Sequence, residues 1–304
     1  MSTEMVTFNE VRCLYLPDGS GRPLYDNYQE REALTIPAIA ADLFAGGPDN
    51  IIGLGYMSDY RKIVKLLDAN TGAVRMSQVF EDFVEMAALA LRNAVDYCGR
   101  DEREGQYLRT ASRYDRAELD RFAQALALVT LAMDRDPCDV LGRLYMELKI
   151  GNERLGQFYT PYDVAELMAH MQIESMIEQV QTHGFADLCE PACGAGSFSV
   201  AVSQAMLEHG LNPQTQLHVT AEDIAPQAIH MIYIHLALLR IPAVVHRRDV
   251  LTMQTFDSWF TPAHVLGGWG QKLRLVQATS GAQRLLSTTL QDSAESCCTS
   301  RHAA

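Results

Sequence analysis

The sequence predicts an α/β protein in which a helical N-terminal domain is followed by a partial parallel sheet. Apolar residues recur at helical spacing through the first half of the chain, and the pattern changes after Ile150. Strand-like and helix-like segments then alternate, which is typical of a parallel sheet with right-handed crossovers. We therefore expect a mainly helical domain over residues 1–150 and an α/β domain over residues 151–269.

The helical domain is predicted from apolar stripes and from one strong start signal. Asp115 precedes an apolar-periodic segment and Glu118 follows it by three residues, which is the pattern of a capping box. Two further segments, 77–95 and 136–150, carry apolar residues on one helical face. These stripes predict a packed helical core.

The α/β domain is predicted from three short apolar segments separated by helices. The predicted strands are 185–189, 217–223 and 243–249, and the predicted helices are 162–181, 197–210 and 226–240. A sheet that stops after three parallel strands would leave its first strand as an exposed edge. We expect the segment 256–280, a second copy or a partner chain to cover that edge.

Composition and charge limit the possible environments and partners. No apolar run has the length of a membrane helix, and the N-terminus lacks the regions of a signal peptide, so the prediction is a cytoplasmic protein. The net charge of −13 is unlike that of a protein that holds DNA by itself, because such proteins place Lys and Arg on phosphates. Cys189 and Cys193 lack a second ligand pair, so we expect no metal site.

The segment EPACGAGSF, residues 190–198, follows the first predicted strand and indicates a ligand site. Gly194 and Gly196 allow the backbone to approach a ligand closely. The three strands end in Glu190, Asp223 and Asp249, and a carboxylate after the second strand can accept hydrogen bonds from ribose hydroxyls. A dinucleotide is the rival ligand, but the third glycine is missing and Glu190 would repel a pyrophosphate. A cofactor that carries both adenosine and positive charge fits better, and S-adenosylmethionine has an ammonium and a sulfonium.

Four motifs occur together in the order GQFYTP at 156–161, EPACGAGSF at 190–198, EDIAPQA at 222–228 and RRDVL at 247–251. This arrangement resembles the amino-methylating, adenine-specific DNA methyltransferases (N-6 DNA methylases). It is most similar to the modification subunits of type I restriction–modification systems, over roughly residues 140–255. The resemblance implies a Rossmann-like, S-adenosylmethionine-dependent methyltransferase sheet after a helical domain. It also implies DNA as substrate.

The resemblance also implies roles for individual residues around the cofactor. Those expected to line its methionine end are Tyr159, Thr160 and Pro161. Those expected to form the turn beneath it are Glu190, Pro191, Gly194 and Gly196.

The remaining cofactor contacts lie after the second and third strands. Asp223 would hold the ribose, and Ile224 would pack against the adenine. Asp249 would accept a hydrogen bond from the adenine amino group, with Leu251 packing nearby. Glu222 is expected to be a solvated neighbour of Asp223.

The catalytic motif of the resembled family is missing. That family places Asn/Asp-Pro-Pro-Tyr/Phe after the fourth strand, where it binds an adenine flipped out of the duplex. This sequence has no Pro-Pro dipeptide, so the catalytic residues are unknown, and the nearest candidates are Asp257, Trp259 and Phe260. The rest of the chain is too short for a complete sheet. We expect residues 270–304 either to be disordered or to be an aberrant tail appended by truncation or a frameshift.

Two functions are compatible with these observations. The first is an S-adenosylmethionine-dependent DNA adenine methyltransferase, or a modification subunit that reaches DNA through a specificity subunit or another partner. The alternative is a catalytically inactive, truncated cofactor-binding protein that acts in assembly, regulation or anti-restriction. A small-molecule or protein methyltransferase fits less well, because GQFYTP beside EPACGAGSF is typical of the DNA-modifying group.

Overall fold

The computed structural model of this chain describes residues 56–72, 74–148, 159–276 and 278, with the backbone alone for residues 56–58. The expectations for residues 1–55 and 279–304 lie outside the described residues, and so does the GQF part of the first motif. The helices of the first half are α1 (Tyr56–Asp68), α2 (Met76–Asn93), α3 (Arg100–Ala111), α4 (Arg116–Arg135) and α5 (Val140–Glu147).

The second half alternates helices and strands. Its helices are α6 (Tyr162–His183), α7 (Ser197–Glu208), α8 (Pro213–Gln216), α9 (Pro226–Leu238) and α10 (Pro262–Leu266). Its strands are β1 (Ala186–Glu190), β2 (Leu217–Asp223), β3 (Ala243–Asp249) and β4 (Gln254–Phe260). Residues 269–276 are helical as well. The predicted α/β fold class is confirmed.

The four strands form one sheet in the order β1-β2-β3-β4. β1, β2 and β3 are parallel, with Glu190 paired to Ala221 and Asp223 paired to Arg247. The carboxyl ends of the first two strands therefore meet at one edge of the sheet, where parallel α/β folds place their ligands.

Strand β4 was not predicted from the sequence, and it pairs antiparallel to β3. It is held by its aromatic residues: Trp259 is buried and packs on Tyr233 of α9, with ring centroids 5.1 Å apart. The Tyr233 hydroxyl donates to the Phe260 carbonyl at 3.2 Å. β4 thus covers the edge of β3 and leaves β1 at the other end of the sheet.

The outer edge of β1 is partly protected by neighbouring groups. The Asp187 N–H donates to the Gln179 side-chain oxygen at 3.0 Å, so one strand donor is already paired. Near the start of the strand, Trp269 packs edge-on against Phe185 with ring centroids 5.1 Å apart. Among the described residues, β1 pairs with β2 alone. The expectation that a second copy or a partner covers this edge stays a prediction.

The helical half and the sheet share one core. Helix α2 packs closely on α9, and buried residues such as Phe83 and Ile232 belong to the same continuous apolar cluster. The predicted capping box at the start of α4 is confirmed, since the Asp115 side chain accepts from Glu118 N–H and the Glu118 side chain accepts from Asp115 N–H. No helix in the described part of the chain is long and apolar enough to cross a membrane.

Candidate functional site

The glycine turn, which we define as residues 191–196, joins β1 to α7 and has an unusual backbone. Gly194 has a φ of +54° and Gly196 a φ of +89°, both in the left-handed region that L side chains rarely adopt. A Cβ on Gly194 would lie 2.7 Å from Tyr159 Cδ1, and a Cβ on Gly196 would lie 2.6 Å from Ile232 Cγ1. Neither position has room for a side chain, so the backbone of the turn packs directly against Tyr159 and Ile232.

The carboxylate of Asp223 is bound to this turn from the end of β2. Its Oδ2 atom accepts a hydrogen bond from the Gly194 N–H at 3.0 Å, and its Oδ1 atom accepts from Ala225 N–H at 2.9 Å. The Cys193 N–H donates to the Glu222 carbonyl at 3.0 Å in the same region. Two of the sequence-predicted residues, Asp223 and Gly194, are thus in direct contact.

Glu190 stands at the end of β1, beneath the start of α7. The hydroxyl of Ser199 donates to Glu190 Oε2 at 2.5 Å. Burial raises the pKa of Glu190 from 4.5 to about 7, because the hydrogen bonds from Ser199 only partly offset the loss of water and the nearby Asp139 and Asp223 carboxylates oppose ionisation. Near neutral pH this carboxyl therefore gains its negative charge readily when a cation approaches.

Tyr159 lies against the glycine turn beside Gly194. Its ring packs edge-on against Tyr145 of α5, with centroids 4.9 Å apart, and burial raises its pKa. Thr160 is exposed, and Pro161 directly precedes the first residue of α6. Pro191 is exposed at the start of the turn. In the YTP segment, the Tyr159 ring is the group that lies against Gly194.

The other predicted cofactor residues lie farther out along the same end of the sheet. Ile224 is 56% exposed and Leu251 is 95% exposed. Asp249 Oδ1 accepts from the N–H groups of Leu251 and Thr252 at 3.0 and 3.3 Å, and hydrogen bonds from these residues lower the pKa of Asp249. The structure therefore brings Asp223 onto the turn, whereas Asp249 closes the loop between β3 and β4.

The catalytic candidates lie in β4 and pack against the helical half. Asp257 Oδ2 accepts from Arg92 Nη1 at 3.2 Å and from Trp259 Nε1 at 2.7 Å. The Arg92 guanidinium lies over the Trp259 ring, 4.5 Å from its centroid. The Phe260 ring packs near His264, with centroids 5.1 Å apart. These contacts bring Asp257 and Trp259 together, on the strand farthest from β1.

The expectation that Glu222 is a solvated residue is wrong. Glu222 is buried, and Arg248 Nη1 donates to its Oε1 at 2.7 Å. The reason is its place in β2 between two paired strands, where a charged side chain is retained by an ion pair. Cys193 is buried, whereas Cys189 is exposed. Within the described residues no cluster of three or more His, Cys, Asp or Glu is arranged to hold a metal ion.

Two buried residues of the site were missed by sequence reasoning. Asp139 accepts a short hydrogen bond from the Ser197 hydroxyl at the start of α7. His235 of α9 contacts the Ala195 carbonyl through Nδ1 at 2.9 Å. The sequence does hold a signal for Asp139, because an aspartate directly before an apolar helix is a typical N-cap. No local pattern marks His235.

The match to known proteins falls on the segment that builds this site. Residues 139–264 match the model of the N-6 DNA Methylase family. The matched segment runs from the Asp139 cap through the glycine turn to helix α10, and it contains all four strands. The resemblance predicted from the sequence is confirmed over this part of the chain.

Two solved structures are similar to this chain at low identity. One is a putative class I S-adenosylmethionine-dependent methyltransferase from Listeria monocytogenes, with 14% identity, a TM-score of 0.33, and coverage of 62% of this chain and 52% of that one. The other is a type I restriction–modification system methyltransferase subunit from Streptococcus thermophilus, with 18% identity, a TM-score of 0.31, and coverage of 75% and 46%. The chain spans about half the length of each. No curated protein matches the sequence.

Proposed function

We propose that this chain binds S-adenosylmethionine and serves as a DNA adenine methyltransferase, or as the modification subunit of a restriction–modification system. The observation that carries the proposal is the bond from Gly194 N–H to Asp223 Oδ2, at the carboxyl ends of two parallel strands. This pairing lies inside the segment that matches the N-6 DNA Methylase family model. It supports a turn built for an adenosine-containing cofactor.

The residues present fit such a cofactor in shape and charge. Gly194 and Gly196 let the turn adopt positive φ and pack directly against Tyr159 and Ile232, where a Cβ would clash, so the two glycines set the shape of the turn. Asp223 carries a carboxylate for ribose hydroxyls, while Glu190 offers a carboxyl whose pKa of about 7 responds to a nearby positive charge. In this proposal Tyr159, Thr160 and Pro161 lie at the methionine end, and Pro191 begins the turn.

The outer residues would complete the adenosine side of the site. Ile224 and Leu251 are exposed apolar side chains that a planar adenine can cover. Asp249 is a carboxylate at the end of β3 and would accept from the adenine amino group.

Methyl transfer to an adenine amino group demands positioning of a weak nucleophile. The cofactor, when bound, supplies an electrophilic methyl carbon, and the protein must present the amine in line with it. Asp257 is the candidate acceptor for the amine hydrogens, with Trp259 and Phe260 as candidate stacking partners. Because all three already have contacts within the protein, their participation in transfer would require a rearrangement of β4.

A partner is expected to bring DNA to this chain. The net charge of −13 opposes the approach of a phosphate backbone, since DNA-binding proteins gain affinity by placing cations on phosphates. A specificity subunit, or another basic partner, would supply that affinity. We place the complex in the cytoplasm, where the DNA of a restriction–modification system is found.

A second function is favoured by one observation: the sequence has no Pro-Pro dipeptide. In that case the chain binds the cofactor without transferring its methyl group, and it acts in assembly, regulation or anti-restriction. The two functions share the cofactor site and differ in turnover.

Two experiments test the proposal in order. Titration calorimetry with S-adenosylmethionine is expected to show binding by the wild-type chain and at least tenfold weaker binding by Asp223→Ala. Absence of binding by the wild type would remove both functions. Labelled methyl transfer to unmethylated genomic DNA, with and without a candidate specificity subunit, then separates the enzyme from the binding protein.

A variant of the catalytic candidates sharpens the second experiment. Labelling that persists in Asp257→Ala/Trp259→Ala would exclude these residues from catalysis. Labelling that disappears while S-adenosylmethionine binding persists would support their role.

A further inference from the structure

We propose that His235 and Asp139 are positioning residues that fix the glycine turn against the start of helix α5 and thereby set its affinity for the ligand. This inference rests on the proposed function for the identity of the ligand. It deepens that function by assigning control of the turn to two residues that belong to other elements.

His235 is fully buried and has hydrogen bonds on both ring nitrogens. Its Nε2 atom accepts from the Leu141 N–H at 3.3 Å, so that nitrogen carries no proton. The proton therefore resides on Nδ1, which donates to the Ala195 carbonyl at 2.9 Å. Burial lowers the pKa of His235, which is consistent with a neutral ring.

The bond to Ala195 falls at a sensitive position. Ala195 lies between Gly194 and Gly196, the two residues with positive φ. Its carbonyl direction is therefore part of the turn conformation, and His235 fixes that direction from helix α9. The turn has few hydrogen bonds within itself, so bonds from other elements, such as those from His235 and Asp223, help to fix its conformation.

Asp139 makes a second link between the start of helix α5 and the end of the glycine turn. Its Oδ1 atom caps helix α5 by accepting from Gly142 N–H at 2.7 Å, and its Oδ2 atom accepts from the Ser197 hydroxyl. A Cβ on Gly142 would lie 2.1 Å from Asp139 Oδ2, so the glycine at this position leaves room for the carboxylate. Asp139 is only 3% exposed, and both of its oxygens are used.

The link through His235 and the link through Asp139 join the same two parts of the structure. Each runs from the first turn of α5, at Asp139 and Leu141, to residues 195–197 around the end of the glycine turn. Two bonds from one rigid helix start restrict both the rotation and the displacement of the turn. The helical half of the protein therefore contributes to ligand affinity without itself contacting the ligand.

Variants of His235 can separate its two hydrogen bonds. In His235→Asn the amide nitrogen lies near the position of Nδ1 and can still donate to the Ala195 carbonyl. In His235→Gln the longer amide reaches the position of Nε2 and can still accept from Leu141 N–H. His235→Phe keeps the ring and loses both bonds. Each variant removes some stability, so stability alone does not identify the role.

The first readout is hydrogen exchange in the ligand-free protein, at the amides of Gly194 and Gly196. Both are hydrogen-bonded in the turn, to Asp223 and to the Cys193 carbonyl. We expect exchange within about threefold of wild type in His235→Asn, and at least tenfold faster exchange in His235→Gln and His235→Phe. Equal acceleration in all three variants, in proportion to their lost stability, would show a merely structural role and overturn the proposal.

The second readout is S-adenosylmethionine affinity by calorimetry on the same proteins. His235→Asn is expected to bind within about threefold of wild type, and the other two variants at least tenfold more weakly. If the wild type does not bind, the proposed function fails, and the exchange experiment still decides whether His235 positions the turn. Altered exchange with unaltered affinity would overturn the proposal, because the turn conformation would then not set binding.

The Asp139 link has a matched control on helix α7. Ser197→Ala removes the hydroxyl that donates to Asp139, whereas Ser203→Ala removes a buried hydroxyl that donates to the Val200 carbonyl within the helix. We expect Ser197→Ala to weaken S-adenosylmethionine binding about three- to tenfold and Ser203→Ala to leave it unchanged. Equal affinities in the two variants would contradict the role of Asp139.

Discussion

The Gly194 N–H donates to Asp223 Oδ2 at 3.0 Å, which joins the end of β2 to the turn that follows β1. Asp223 also accepts from Ala225 N–H, so its carboxylate holds two backbone segments at once. A carboxylate accepts more than two hydrogen bonds, and its remaining lone pairs suit ribose hydroxyls.

Two substitutions of Asp223 test how much its carboxylate contributes to S-adenosylmethionine binding. Asp223→Asn keeps an oxygen for one backbone N–H and is expected to weaken S-adenosylmethionine binding about tenfold. Asp223→Ala also loses the carboxylate acceptor for the ligand and is expected to weaken it by about a hundredfold, because one hydrogen bond to a charged group contributes about 1.5–3 kcal/mol. Calorimetry measures both, with Asp163→Asn on the exposed first turn of α6 as control. Equal binding by wild type and Asp223→Ala would exclude Asp223 from the site.

Gly196→Ala is expected to destabilise the protein more than Gly210→Ala. Both positions have positive φ, which costs an L residue about 1–2 kcal/mol. A Cβ at Gly196 also lies 2.6 Å from Ile232, whereas nothing lies within 4 Å of one at Gly210. Overpacking of this kind adds about 1–3 kcal/mol. Urea unfolding of the two variants measures the difference, and equal losses would contradict the close packing.

The protonation of Glu190 should make stability fall as pH rises from about 4.5 to about 7. The folded pKa of about 7 lies above the ordinary value of 4.5, so the folded protein binds more protons than the unfolded chain in this window. The contribution is full below about 4.5 and lost by about 7. The measured quantity is the difference in unfolding free energy between wild type and Glu190→Gln. We expect this difference to fall by on the order of 2–3 kcal/mol between about pH 4.5 and about pH 7. The subtraction removes the opposite trend of His230 and His264, whose pKa values burial lowers to about 4.

Cationic ligand binding at Glu190 should release a proton near pH 6. The carboxyl is mostly protonated there in the free protein, and an adjacent sulfonium or ammonium favours its ionised form. Calorimetry with S-adenosylmethionine in buffers of different ionisation enthalpy counts the released protons. We expect up to about one proton for wild type and none from this site for Glu190→Gln. Release of the same number of protons by both proteins would show that the positive charge of the ligand does not bind beside Glu190.

Asp257→Ala should reduce stability and leave S-adenosylmethionine affinity unchanged within about twofold. The Arg92 side chain is 8% exposed, and Asp257 is one of its two carboxylate partners, with Asp96 as the other. Removal of one partner of a largely buried charge costs on the order of 2 kcal/mol. Urea unfolding measures the loss, and Arg116→Ala, in an exposed ion pair with Asp120, is the control. A large loss of S-adenosylmethionine affinity would instead show that Asp257 belongs to the cofactor site.

The parallel strands could be predicted from the sequence because their signals are local. β2 and β3 have the predicted bounds, and β1 differs by one residue at each end, since buried apolar runs between helices mark such strands. β4 was missed because its sequence, QTFDSWF, is mostly exposed and lacks apolar alternation. Its position depends on Trp259 packing against helix α9, which local sequence does not encode.

The residues of the candidate site also fall into those that the local sequence predicts and those that it does not. Gly194, Gly196 and Asp223 could be predicted because one strand–turn–helix unit and the next strand end define them. His235 contacts a residue 40 positions away and Asp139 one that is 58 positions away. Hydrogen bonds over such separations follow from how helices pack, so neither residue carries a local pattern that names its partner.

The order of strands in the sheet is the order of strands in the chain, from β1 to β4. During synthesis each strand can therefore pair with one that has already left the ribosome, and no strand must wait for a distant later segment. Once Asp223 and His235 have emerged, every residue that bends or holds the glycine turn is present, so the ligand site can mature before the last strand is made.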